Sequence, residues 1–286
     1  MAGPITRIVD CHIHFWDPAR ADWYPYLAGA MQLDIGDISG MIRPFFPEQY
    51  RAESAAWPVE KVIHVSATGG FIADETRERE AMGEADPLLA AIVGGILSDP
   101  DPGATIALID EQMESSRFRG VRTMGQDPGG VPHPDVVRAL AERNLVFDLM
   151  VHPDLLGPAA ATLATDDDLT VVVEHVGWPH TADDEEYVLW KTGIDAQAAR
   201  PNTYCKLSGL AMPLATMDVE AFRPWISYAL EAFGPERCMF ASNFPVDSTH
   251  GTFDDLYTTF DALTADCTDA ERDALFAANA ERVYRC

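Results

Sequence analysis

The sequence predicts a (β/α)8 barrel, the TIM fold, from three observations. Eight short β-branched or apolar runs recur along its 286 residues, and most are followed by a polar, helix-compatible stretch. After the second run the repeat is roughly 25 to 35 residues, about the length of one strand–helix unit. A doubly wound open sheet is the alternative, but no glycine-rich dinucleotide loop follows the first run. With 47% hydrophobic residues and no composition shift or repeat, residues 1–286 read as a single barrel domain.

The predicted strands begin with Arg7 to His12 and Lys61 to Ser66. Ala90 to Leu97, Phe118 to Arg122, Leu145 to Val151 and Leu169 to His175 follow, then Thr203 to Leu207 and Arg237 to Ser242. Predicted helices cover Glu75–Ala85, Ala104–Ser116, Pro134–Asn144, Asp184–Ala199, Asp218–Phe233 and Phe253–Leu263. Several open on acids or proline and close on Gly or Asn, as helix ends require. The long connection from His14 to Lys61 breaks the spacing. It carries Trp16, Trp23, Tyr24, Tyr26, Phe45, Phe46, Tyr50 and Trp57 among four prolines. An aromatic-rich insertion after strand 1 lies on the C-terminal face of such a barrel and is expected to cap it.

Charge and composition exclude several function classes. Forty-six acidic residues against 20 basic ones give a formal net charge of −26, which repels nucleic acid and anionic membranes. No apolar run reaches the roughly 18 residues of a membrane span, and the N-terminus lacks a signal-like pattern, so the expected location is cytoplasmic. The five cysteines form no C-x-x-C pair and read as buried thiols. The expected partner is a small-molecule substrate; a homo-oligomer stays open.

Chemistry in this fold sits at the C-terminal strand ends. Strand 1 ends in His12 and His14, which strand alternation places on one face. A single His-x-His pair arises by chance on many strands, so the other ends decide. They carry His64, Arg122, His152, His175, Lys206 with Ser208, and the run Ser242-Asn243-Phe244-Pro245-Val246-Asp247.

Those residues, with the segments DCHIHFWDP, WYPYL, FRGVR, VEHVGWP, CKLSGL, MFASNFPVD and NAERVYR in order along nearly the whole chain, resemble the amidohydrolase superfamily. The resemblance is to its lactonase-type branch, which includes L-fuconolactonase, L-rhamnonolactone hydrolases and 2-pyrone-4,6-dicarboxylate lactonase. It implies a hydrolase that opens the cyclic ester of a small sugar-acid or carboxylated ring compound in catabolism. Water attacks a polarised carbonyl, and a proton passes from that water to the leaving oxygen. A decarboxylase or hydratase of a small aromatic or enol acid is the alternative enzyme class. A ligand-binding barrel that has lost hydrolysis is the non-enzymatic one.

The resemblance also implies site roles. His175, Asn243, Asp247 and His152 are the catalytic candidates. Arg122, Lys206, Trp178, Trp16 and His64 are the substrate-binding candidates, with Arg122 as a bidentate clamp and Lys206 as a point charge at the mouth. A salt bridge to Glu174 is the other reading of Lys206. His12, His14, His152 and His175 form a ligand set for one zinc-like divalent ion, and metal-free hydrolysis is equally compatible. Relatives place an acidic base on strand 8, where this chain has Asn243, and an amide cannot accept a proton near neutral pH. Three readings follow: the base has moved to Asp247, His152 or His250; a metal-activated nucleophile makes a base unnecessary; or only binding remains.

Overall fold

The computed structural model describes residues 3–29, 36–97, 101–124, 130–164, 166 and 168–286. At its centre eight parallel strands run in the order β1 to β8. They are β1 Ile8–Ile13, β2 Val59–Val65, β3 Leu89–Leu97, β4 Phe118–Met124, β5 Val146–Leu149, β6 Thr170–Val173, β7 Thr203–Leu207 and β8 Cys238–Phe240. The ring returns on itself just beyond β8. Asn243 N–H donates to His12 O at 2.8 Å, and His14 N–H donates to Phe244 O at 2.8 Å. All eight predicted strands are present, in a (β/α)8 barrel.

The helices are α1 Pro47–Glu53, α2 Ile72–Ala85, α3 Pro102–Gln112, α4 Pro134–Glu142, α5 Pro153–Leu163, α6 Asp184–Ala198, α7 Ala211–Leu214, α8 Val219–Phe233 and α9 Phe253–Leu263. The chain ends in α10 Asp269–Asp273, a π-helical turn Ala274–Ala278 and α11 Asn279–Tyr284. The ends of these helices follow local chemistry. Asp101 caps α3 by accepting from Gly103 N–H at 2.9 Å, Asp183 caps α6 by accepting from Glu186 N–H at 2.9 Å, and Thr252 with Asp255 forms a capping box on α9. Among the described residues no helix is long and apolar enough to cross a membrane.

Inside the barrel the inward residues Val9, Cys11, Ile63, Val93, Val146, Val172 and Met239 pack with Ala277, Ala280, Val283 and Tyr284 of the C-terminal segment. That segment lies on β1 and β8 and closes the end of the barrel opposite the catalytic candidates.

The β1–β2 connection crosses the catalytic end. Trp16 exchanges backbone hydrogen bonds with Phe45, Tyr26 donates its hydroxyl to Ala67 O at 2.9 Å, and Trp23 stacks on Phe71 at 5.3 Å. At its far end the guanidinium of Arg43 meets Ser248 Oγ at 3.4 Å beyond β8. The insertion therefore bridges the β2 and β8 sides of the mouth. Trp16, Trp23, Tyr24, Phe45 and Tyr50 are buried, each contributing about 2–3 kcal/mol of apolar burial. The expected cap also spans residues 30–35, which lie outside the described residues.

Candidate active site

Strand β1 loses regular register between Asp10 and Ile13, where His12 turns toward the barrel axis. Its ring centroid lies 4.9 Å from that of His14 and 4.5 Å from that of His175. The Nδ1–H of His14 donates to Val65 O at 2.8 Å, which leaves its Nε2 as a lone pair. On its other side His14 stacks parallel to Trp16 at 5.7 Å. Nδ1 of His175 pairs with Ser208 Oγ at 3.0 Å. Burial pushes all three imidazoles well below their ordinary proton affinity, with neighbouring cations adding to the effect, so they are neutral at physiological pH.

The backbone beneath His175 is strained. His175, Val176 and Trp178 have φ of 52°, 56° and 41°, and each non-glycine residue held in that left-handed region costs about 1–2 kcal/mol. Across from it Gly209 also has a positive φ, of 68°. A Cβ there would stand 2.6 Å from the His175 ring, so the imidazole lies against bare backbone.

A layer of charge lies under the rings. Glu174 is fully buried; its Oε2 pairs with Arg122 at 3.3 Å and its Oε1 lies 3.5 Å from His12 Nδ1. Arg122 also donates to Ser66 O, while its Nε has no hydrogen-bond partner among the described residues. Lys206 is fully buried on β7 and donates to Asp148 Oδ2 at 2.5 Å, with Nζ 3.5 Å from His12 Nδ1. Burial works against the charge on Lys206, but Asp148 and Glu174 overcome it and hold the ammonium above its ordinary pKa. Lys206 thus lies beneath the imidazoles, whereas the sequence suggested the mouth. Its ion-pair partner is Asp148 rather than Glu174.

Beyond β8, Asn243 adopts φ 56° and donates its side-chain amide to Asp247 Oδ1 at 2.8 Å. Asp247 is fully buried, and its Oδ2 accepts no well-formed hydrogen bond among the described residues. Burial raises its pKa to about 8 despite the amide of Asn243, and the charge of Asp10 adds to the rise. The N–H groups of Gly209 and Ala211 pull the other way. Gly209 therefore adjoins the His175 ring with its bare Cα, and its N–H acts on the Asp247 carboxyl.

The remaining candidates are placed outside this cluster. His152 stacks on Trp178 at 4.6 Å, with Nδ1 3.1 Å from Trp178 O, and Trp178 separates it from His175. Its other neighbour is His180, at 5.2 Å. Both rings line an open cleft of about 440 Å³ that also carries Asp154, Asp183 and Glu185. His64 accepts from Phe15 N–H at 3.2 Å through Nδ1, and its Nε2 lies 3.7 Å from Glu75, so both nitrogens face protein groups. Trp16 presents its stacked face to His14 and donates Nε1–H to Arg43 O at 3.2 Å. Arg43 is occupied by Glu53, and His250 stands half-buried after Asp247.

Among the described residues one group of metal-capable side chains converges: His12, Glu174 and His175, with ligand atoms within 4.8 Å of one another. His14 adjoins that group without being part of it. Glu174 as a donor was missed in the sequence, although an acid ending an otherwise apolar VVVEH run is the signal that marks it. Asp148 carries the same signal in LVFDLM, and Tyr284 belongs to the NAERVYR segment, which showed no contact with the strand ends in the sequence.

Residues 9–286 match the family model described as Amidohydrolase. The chain is 30% identical to an uncharacterized protein, y4mH, of Sinorhizobium fredii, over 97% of this chain and 98% of that protein. It is 28% identical to an L-fucono-1,5-lactonase of Burkholderia multivorans, over 96% of this chain and 95% of the lactonase. The crystal structure of an amidohydrolase from Burkholderia multivorans with bound zinc superposes with a TM-score of 0.80 at 26% identity, covering 97% of this chain and 99% of that one. With the family matched over almost its whole length, on an eight-stranded barrel whose strand ends bring His12, His14 and His175 together, the chain belongs to the amidohydrolases.

Proposed function

We propose that this protein hydrolyses the lactone of a small, neutral sugar acid. The observation that carries the reading is Asp247: a fully buried carboxyl just beyond β8, held by the Asn243 amide at 2.8 Å, whose burial raises its pKa to about 8. It supplies the proton-exchanging group that Asn243 cannot. Full-length similarity to an L-fucono-1,5-lactonase supports the reaction class.

In this reading the ring carbonyl lies among the neutral imidazoles. Asp247, as carboxylate, takes a proton from water as the water oxygen bonds to the carbonyl carbon. The same proton then passes to the ring oxygen as the carbon–oxygen bond breaks, giving the open hydroxy acid. Asn243 orients the Asp247 carboxylate through Oδ1 and leaves Oδ2 for the exchange. Arg122 offers Nε to a substrate oxygen, Lys206 acts from beneath the site through His12, and Trp16 and Trp178 form its apolar walls.

The residues fit one divalent ion. Glu174 Oε1 is buried without a hydrogen-bond partner among the described residues and lies 3.5 Å from the His12 ring, and the two residues converge with His175. A zinc-like ion held by His12, Glu174 and His175 would polarise a carbonyl and lower the proton affinity of water. His14 and His152 stand outside that ligand set. The acids of the His152 cleft disfavour dicarboxylated rings and suit hydroxylated, uncharged ones.

The test is a panel of neutral sugar lactones, a pyrone dicarboxylate and phenolic acids, followed by proton release and carbon dioxide release. Acid release from the neutral lactones is expected. Carbon dioxide from the phenolic acids would instead assign a decarboxylase, and binding without turnover a ligand-binding barrel.

A further inference from the structure

One carboxyl on β1 gathers donors from three elements around the site. Asp10 accepts through Oδ1 from the N–H of Ser242 at 2.9 Å and of His12 at 3.4 Å, and through Oδ2 from the Tyr50 hydroxyl at 2.8 Å. Ser242 stands just beyond β8, directly before Asn243, and Tyr50 lies on α1, within the insertion that crosses the mouth. Asp10, Ser242 and Tyr50 are all fully buried, so water does not compete for these contacts.

Each contact has a positional consequence. Ser242 lies past the β7–β8 register, which ends at Phe240, and its N–H takes the Asp10 carboxyl as partner. The next residue, Asn243, donates its N–H to His12 O at 2.8 Å and its side-chain amide to Asp247, so the place of Ser242 sets the start of the turn that carries Asp247. On the insertion side the Tyr50 ring meets Phe15, Phe45 and Phe253 edge-on at 6.5, 6.2 and 5.6 Å. A phenylalanine would make those contacts equally well; the hydroxyl serves Asp10. A buried carboxyl is costly unless donors surround it, whereas an apolar side chain would fill this place on β1 without that cost. What the carboxyl adds is direction, because it fixes where its donors stand.

We infer that Asp10 is a positioning residue that couples the aromatic insertion to the turn carrying Asn243 and Asp247, with Tyr50 as its contact on the insertion side. A displacement of α1 is passed through one carboxyl to the backbone of Ser242, and from there to Asp247. Ordering of the insertion over the mouth and placement of Asp247 are therefore linked. The kinetic consequence rests on the lactonase reading; the coupling itself does not.

Hydrogen exchange of the full chain, read by mass spectrometry over residues 44–54 and 240–250, tests the coupling without substrate. In Tyr50→Phe, which deletes one hydroxyl and keeps the ring packing, both segments are expected to lose protection together by roughly two- to tenfold, the worth of one hydrogen bond, while α4 exchanges as in the parent. Asp10→Asn retains an oxygen that accepts from Ser242 and is expected to keep the protection of 240–250 that Asp10→Ala loses. On a neutral sugar lactone, Tyr50→Phe is expected to lower kcat by roughly tenfold and to change KM less, because Asp247 acts in the transition state. Loosening confined to residues 44–54 in Tyr50→Phe would overturn the inference, and so would a variant in which KM alone rises. Absence of turnover in the parent would count against the lactonase reading and leave the exchange result to decide the coupling.

Discussion

Asn243 donates its side-chain amide to Asp247 across 2.8 Å, four residues further along the same loop. The acid that the strand-8 position lacks is thus present one turn away, buried and held by the residue that replaced it. An amide at 243 is also what allows a carboxylate at 247. Two acids at this distance would repel and share one proton.

That relationship predicts Asn243→Asp. A second carboxyl beside Asp247 raises the proton affinity of the pair, so the alkaline rise of the pH–rate profile is expected to move upward. Measuring kcat/KM from pH 6 to 10 on a neutral lactone checks this, and an unmoved profile would mean that Asp247 is not the titrating group.

Asp247 also makes a stability prediction whose sign follows from linkage. Its folded pKa is about 8 and its unfolded value 3.8, so folding favours the protonated form. Its effect on stability is fully favourable below pH 3.8 and is lost as pH rises toward 8. Asp247→Asn, which stays neutral, is expected to be the more stable protein at pH 9 by several kcal/mol, since each tenfold change in proton affinity is worth about 1.4 kcal/mol. The gain shrinks toward zero near pH 4. Thermal melts across that range give the answer, and a gain independent of pH would contradict it.

The buried Lys206–Asp148 pair predicts an asymmetric mutant series. Lys206→Met strips the buried Asp148 of its counter-charge, at a cost of about 3–5 kcal/mol, whereas adding Asp148→Asn recovers most of it. Denaturant titrations of the single and double variants measure both effects. Equal stabilities would show that the pair is not ionised.

Zinc provides a fourth test. A ligand that binds only the folded chain stabilises it by about 2.7 kcal/mol at a hundredfold excess over Kd, so Tm is expected to rise with zinc and to fall on chelation. Glu174→Gln removes the anionic donor and is expected to abolish most of that rise. A zinc response unchanged in Glu174→Gln would move the site away from His12, Glu174 and His175.

Much of this architecture was legible in the sequence because buried strands write themselves as β-branched runs with regular spacing. LTVVVEH and TYCKL needed no tertiary information. Helix α5 escaped because its segment PDLLGPAAATL holds Gly157 and Pro158, which weaken a helical pattern that packing then restores. The histidines at strand ends were readable for the same reason as the strands. Their division into a buried cluster and an outer pair was not, because Trp178 stands between His152 and His175 only through the left-handed turn after β6. Nor could Lys206 reveal its partner: Asp148 lies 58 residues away and two strands over, and Tyr284 lies 136 residues beyond Asp148.

The most direct test of Asp247 as the proton-exchanging group is the hydrolysis of a neutral sugar lactone by the parent and by Asp247→Asn, followed by proton release as a function of pH. The parent's kcat is expected to rise through about pH 8, and the variant to lose roughly 10²–10⁴-fold in kcat together with that rise. A variant that keeps both the rate and the pH dependence of the parent would contradict that role.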